Sequence, residues 1–145
     1  MKFYVATDHA GIDLKDITVE MLRSKGHEVE DLGPFSKDRV DYPDYAVKVS
    51  EAVLADDTAH GILICGSGIG MSMSANRFHG IRAALCHDAY TATMARAHND
   101  ANILCFGERI VGVGVAESIL DSWIAGSFEG GRHAGRVEKI EAIKG

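Results

Sequence analysis

Short apolar runs alternate along this chain with longer segments whose apolar residues recur at helical spacing. Phe3-Tyr4-Val5-Ala6 reads as a strand, and Leu14, Ile17, Met21 and Leu22 behind it fall on one helix face. Gly26 stops that helix, and His27-Glu28-Val29-Glu30-Asp31-Leu32-Gly33 alternates as a partly exposed strand does. A polar loop holding Pro34 and Pro43 leads to a second helix marked by Ala46, Val49 and Val53. Gly61-Ile62-Leu63-Ile64-Cys65 is too apolar to alternate, as expected of a central parallel strand covered on both faces. The pattern then predicts a helix near Met71 to Asn76, a strand from Ile81 to Cys86, a helix near Tyr90 to Ala97 and a strand from Asn102 to Gly107. Two helices close the chain, one carrying Val115, Ile119 and Trp123, the other Val137 and Ile140. Such alternation predicts an α/β fold in which a parallel sheet lies between helices, and 145 residues without repeat or linker make one domain, 1–145.

Ligands of such a sheet bind outside the carboxyl ends of its strands, so the residues delivered there carry the chemistry. The first strand ends in Asp8-His9-Ala10-Gly11 and the third in Cys65-Gly66-Ser67-Gly68-Ile69-Gly70. A glycine-rich turn between a buried strand and a helix exposes backbone N–H groups and suits an anion, a phosphate or an enediolate. It does not complete the dinucleotide fingerprint: Met71 follows Gly70, and no acidic residue ends the next strand. Cys65 stands just before this turn, and a thiol beside a helix N-terminus can titrate far enough below about 8.5 to act as a base near neutral pH. Cys86 and Cys105 fall inside strands and read as small core hydrophobes.

A second cluster, Gly130-Gly131-Arg132-His133-Ala134-Gly135-Arg136-Val137-Glu138-Lys139, puts Arg132 and Arg136 on one helix face. The contact positions of Arg136 on its own helix are Arg132, His133, Lys139 and Ile140, none of them acidic. Two arginines without acids beside a histidine favour an anion, because guanidinium groups match phosphate oxygens bidentately. His27, His60 and His79 read as solvated, whereas His9 ends a strand beside Asp8 and His98 ends a helix in Ala97-His98-Asn99-Asp100.

The bulk properties narrow the partners. A formal charge of −6 argues against a nucleic-acid surface, and no apolar run approaches the roughly 20 residues of a membrane span. Three cysteines without a C-x-x-C spacing argue against a disulfide framework or structural zinc, and the start lacks a signal peptide, so the expected location is cytoplasmic.

Asp8-His9-Ala10-Gly11, Asp41-Tyr42-Pro43, Cys65-Gly66-Ser67-Gly68-Ile69-Gly70, His98-Asn99-Asp100 and Gly130-Gly131-Arg132-His133, in this order and spacing, resemble the type B ribose-5-phosphate isomerases of the ribose/galactose isomerase group. The resemblance implies a three-layer α/β/α Rossmann-like sandwich with a five-stranded parallel sheet. It also implies interconversion of D-ribose 5-phosphate and D-ribulose 5-phosphate through an enediolate, without metal or cofactor. Its catalytic set here would be Cys65 as proton-shuttling base, His98 as ring-opening group, and the Ser67 hydroxyl, where threonine is also familiar in the family. Asp8, His9, Tyr42, Gly66, Ser67, Gly68, Ile69, Gly70, Asn99, Arg109, Arg132 and Arg136 would bind the substrate.

Cys65 ends a strand, while His98 ends a helix that runs back toward the start of the next strand, so the two belong at opposite edges of one subunit's sheet. A homodimer or dimer of dimers with shared active sites reconciles them, and the resemblance implies the same. Allose 6-phosphate, galactose 6-phosphate and tetrulose phosphates are alternative substrates within the group. A cysteine hydrolase with Cys65 as nucleophile, or a non-catalytic sugar-phosphate sensor, are rivals of another kind.

Overall fold

The structure is a computed structural model that describes residues 1–144; Gly145, the last residue of the predicted domain, lies outside the described residues. Its centre is a five-stranded, all-parallel sheet in the order β2-β1-β3-β5-β4, formed by β1 (Lys2–Thr7), β2 (Glu28–Asp31), β3 (Ala59–Cys65), β4 (Ala83–Leu85) and β5 (Ile103–Gly107). Between them run α1 (Ile12–Ser24), α2 (Tyr42–Ala55), α3 (Ile69–Ala75) and α4 (Ala89–Asn99), and α5 (Val113–Ala125) and α6 (Arg132–Glu141) follow β5.

Successive side chains of β3 feed two separate cores, as the two-residue period of a strand requires. Ile62 and Ile64 pack with Leu14, Val19 and Leu22 of α1, Ala92 and Ala95 of α4, and Ile119, Leu120 and Trp123 of α5. Leu63 and Cys65 pack on the other face with Ala46, Val49 and Val53 of α2 and with Met71 and Ala75 of α3. Both faces of β3 are therefore dry, which is why it could not alternate. No helix among the described residues is long and apolar enough to cross a membrane.

Several boundaries differ from the sequence expectation. Pro43, placed in a loop, sits in the first turn of α2, where its missing N–H costs nothing and its fixed φ suits a helix start. β2 ends at Asp31, whose side chain accepts a hydrogen bond from Gly33 N–H at 2.9 Å and turns the chain out of the sheet. β4 is only Ala83–Leu85, because the Arg82 N–H donates to the Asn102 side chain at 2.8 Å instead of joining the ladder. Lys15 is fully buried in α1. Its Nζ lies 2.9 and 3.1 Å from the Asp31 carboxylate oxygens and donates to the Pro34 carbonyl at 3.1 Å. That paired charge pins the end of β2 and the loop after it against α1.

His60 is also not the solvated histidine expected. It lies on β3, packs 6.0 Å from Phe3 and 5.8 Å from Trp123 between ring centroids, and its Nδ1 accepts the Trp123 indole N–H at 3.2 Å. Burial first, then nearby Arg96, hold it at about 4 against the usual 6.5. Because the unfolded chain takes up this proton at the higher pH, the contribution of His60 is complete above about 6.5 and is lost as pH falls toward 4. With allowance for solvent screening of a half-buried ring, the expected loss between pH 7.5 and 5 is about 1–2 kcal/mol. His60→Asn keeps an acceptor for Trp123 but cannot titrate. Urea unfolding across this range should therefore show a flatter pH dependence in His60→Asn, and parallel curves for the two proteins would contradict the assignment.

Candidate active site

The carboxyl edge of the sheet gathers ten of the residues singled out in the sequence. After β1, Asp8 is buried and its Oδ1 accepts the Ala10 N–H at 2.9 Å, closing the 3₁₀ turn His9–Gly11. His9 Nδ1 lies 3.1 Å from the Val40 carbonyl oxygen, so the ring is oriented by the loop before α2. Cys65 ends β3, Gly66 and Ser67 follow it, and Gly68 caps α3 with φ +79°, a left-handed conformation that favours glycine. A side chain at Gly68 would also meet the Phe106 backbone at 2.8 Å.

The neighbouring strand locks this turn. Glu108 and Arg109 donate their backbone N–H groups to the Cys65 and Gly66 carbonyls at 2.9 and 3.0 Å. The Arg109 guanidinium lies against Gly66, and the Tyr42 ring covers Gly70 so closely that a side chain there would collide with it. Ser67 Oγ accepts the Ile69 N–H at 3.2 Å and keeps its own proton to donate. Ile69 is exposed in the first turn of α3, where the Gly70 and Met71 amides have no acceptor within the helix.

Cys65 differs from the other two thiols in its surroundings. Its Sγ accepts the Gly68 N–H at 3.1 Å at the edge of the sheet. Burial pushes Cys86 up to about 11, and complete burial takes Cys105 well above its usual range. Both remain neutral thiols across physiological pH, as the sequence reading of them as core residues expected.

The remaining candidates, His98, Asn99, Arg132 and Arg136, gather at the amino edge. His98 and Asn99 end α4, and the following Asn102 side chain donates to the Gly80 carbonyl beside the start of β4. Gly130 and Gly131, at φ +66° and +54°, fold the chain back so that α6 begins against α4. Two residues missed by sequence reasoning complete this cluster. The His133 ring stacks on His98 with centroids 4.1 Å apart and planes at 13°, and Glu129 Oε1 lies 3.7 Å from His98 Nε2 and 4.0 Å from His133 Nε2. His133 was visible only as a neighbour of Arg132, and nothing local to Glu129 marks it. The contact crosses from α4 to α6 and exists only in the tertiary fold. Arg132 and Arg136 are exposed and make no ion pair among the described residues.

His98, Glu129 and His133 are close enough together to suggest a metal site. Near-parallel rings, however, aim their lone pairs along separate planes, so one ion at the usual 2.0–2.1 Å could not lie in both without a ring turning. The two clusters stay apart. Cys65 pairs with Gly107 at the carboxyl end of β5, whereas His98 precedes Ile103 at its amino end, and β5 alone spans about 13 Å.

Comparison with known proteins gives this arrangement a context. The model of the family described as Ribose/Galactose Isomerase matches residues 3–140. The ribose-5-phosphate isomerase B of Escherichia coli K12 is 48% identical over 143 residues, covering 99% of this chain and 96% of that protein. The solved structure of Clostridium thermocellum ribose-5-phosphate isomerase B superposes with a TM-score of 0.95 at 48% identity, covering 97% and 95% of the two chains. That of Mycoplasma genitalium ribose-5-phosphate isomerase B with bound ribulose 5-phosphate gives 0.93 at 42% identity, covering 97% and 93%. The chain belongs to the ribose/galactose isomerase family.

Proposed function

We propose that the chain is an aldose–ketose isomerase that interconverts D-ribose 5-phosphate and D-ribulose 5-phosphate, with Cys65 as the base. The observation that carries the reading is the Cys65 thiol at the edge of a dry central strand, bonded by the Gly68 N–H and followed by a glycine turn into a helix, while the other two thiols are sealed. In the open aldose, the Cys65 thiolate takes the C2 proton. The C2–H electron pair forms the C1–C2 double bond, and the carbonyl pair moves onto O1. The turn from Gly66 through Gly70 then faces the enediolate: the Gly68 and Ile69 amides hold Cys65 and Ser67 in place, the Gly70 amide has no acceptor within its helix, and the Ser67 hydroxyl adds a donor. Return of the proton to C1, with the O2 proton passed on to O1, leaves the ketone at C2.

Asp8, His9 and Tyr42 line the sugar side of this edge, and Arg109 beside Gly66 offers it a cation. Ribose 5-phosphate is mostly a closed furanose, and opening it is the role given to His98, with Asn99 beside it and Arg132 and Arg136 taking the phosphate. Because these four lie at the other edge of the sheet, a second copy of the chain supplies them in a homodimer or dimer of dimers. A doubly charged sugar phosphate is retained behind a bilayer, so the cytoplasm is the compartment that fits. A hydrolase would need an imidazole on the nucleophile, and the partner of Cys65 Sγ is instead an amide.

Cys65→Ala should lower isomerisation by about 10²–10⁴-fold and abolish exchange of the substrate carbon-bound proton with solvent, with the circular dichroism spectrum unchanged. Near-normal turnover in Cys65→Ala, with loss in Cys86→Ala, would mean that another thiol is the base. Comparing kcat/KM for ribose 5-phosphate with those for allose 6-phosphate, galactose 6-phosphate and tetrulose phosphates tests the substrate, and the pentose phosphate should rank first.

Arg132→Ala and Arg136→Ala should each raise KM for the sugar phosphate by about 10-fold or more, the worth of one charge-assisted hydrogen bond. Inhibition by inorganic phosphate should weaken in parallel. If both constants stay at wild-type values in both variants, these arginines are solvated surface residues.

A further inference from the structure

We propose that Glu129 and His133 are positioning residues that hold His98 for ring opening, a role that rests on the reading of His98 above. Ring opening breaks the C1–O4 bond. The bonding pair and one proton go to O4, the O1 proton leaves, and the C1–O1 double bond forms. The group serving this exchange must present one ring nitrogen to the sugar in a fixed direction and in a defined proton state.

The surroundings of His98 meet both requirements. The His133 ring, 4.1 Å away and within 13° of parallel, fixes the plane of the His98 ring. His133 is buried, and its backbone N–H donates to the Gly130 carbonyl at 3.0 Å, so the stacking partner cannot drift. Glu129 is anchored by its own N–H on the Ala97 carbonyl at 3.0 Å, and its carboxylate faces His98 Nε2. Nδ1 of His98 has no hydrogen-bond partner among the described residues and is left for the sugar. This is the logic by which a carboxylate orients a catalytic imidazole, with a second imidazole as the floor.

Burial is the first reason that His133 carries no charge of its own. Desolvation, together with His98, Arg132 and Arg136, holds His133 below the usual 6.5, against the opposing pull of Glu129. On α4 the positions one turn before His98 are Met94 and Ala95, and the acids of α5, Glu117 and Asp121, pair with Lys25 elsewhere. His133 thus stays neutral, and the carboxylate of Glu129 serves the more exposed His98.

Ribulose 5-phosphate separates this step from proton transfer, because its phosphorylated O5 cannot close a ring on C2. It is always open, and exchange of its C1 proton with deuterium from solvent needs the base but no ring opening. Glu129→Gln changes an exposed side chain and leaves packing intact. Glu129→Gln and His133→Ala should lower kcat for ribose 5-phosphate by about 10-fold while C1 exchange on ribulose 5-phosphate stays within about twofold of wild type. KM should not move, unlike in the arginine variants, and Glu129→Asp should recover part of kcat. His98→Asn is the control. If it separates the two rates while Glu129→Gln leaves them in the wild-type ratio, the positioning role is overturned and the ring-opening role of His98 stands. If His98→Asn lowers both rates equally, the ring-opening reading falls and the positioning role falls with it.

Discussion

Burial of both faces of β3 is the constraint on which this molecule is organised. Ile62 and Ile64 belong to one core and Leu63 and Cys65 to the other, so this half of the strand has no place for an unpaired polar side chain. Polar chemistry can enter only where the strand stops. At that point Cys65 still has its sulfur packed against α2 and α3 while the backbone beyond it turns through Gly66 to Gly68 into a helix. The end of β5 then closes on the turn through the Glu108 and Arg109 amides. A thiol held in a dry wall, with the Gly68 amide on its sulfur, follows directly from a parallel strand running out of a covered sheet.

The same parallel geometry divides the candidate site. Every crossover helix returns its chain to the amino edge, and α4 delivers His98 there just before β5 begins. The glycine pair Gly130-Gly131 then folds α6 back onto α4, adding Arg132, His133 and Arg136 to that edge. One chain thus holds the Cys65 thiol with its glycine turn at one edge, and an imidazole pair with two exposed guanidinium groups at the other. The atoms that these groups must reach lie within one five-carbon sugar phosphate. In the proposed dimer, a two-fold axis that sets the carboxyl edge of one subunit against the amino edge of its partner would complete two sites at once.

Much of this was legible in the sequence because it depends on local pattern. The uniform apolarity of Ile62 to Cys65 marked the central strand, and the glycines after Cys65 marked the tight turn into α3. The four-residue spacing of Arg132 and Arg136 marked a cationic helix face. The features that escaped detection depend on partners far away in the chain. Lys15 sits inside a helix as an ordinary charged residue until Asp31 and the Pro34 carbonyl are brought to it. His60 resembles a solvated strand-end histidine until Trp123 of α5 donates to it. Glu129 and His133 acquire meaning only when α6 packs on α4. Pro43 was misread for a different reason, since proline marks a loop and the first turn of a helix equally well.

The division of the site between two subunits is tested most directly by mixing Cys65→Ala and His98→Asn proteins under conditions that exchange subunits, with ribose 5-phosphate as substrate. In a mixed dimer with shared sites, one site carries both defects and the other carries neither. Random reassociation of equal amounts should therefore restore about one quarter of wild-type activity. If mixing leaves activity at the level of the separate variants, Cys65 and His98 act within one chain, and the shared site is contradicted.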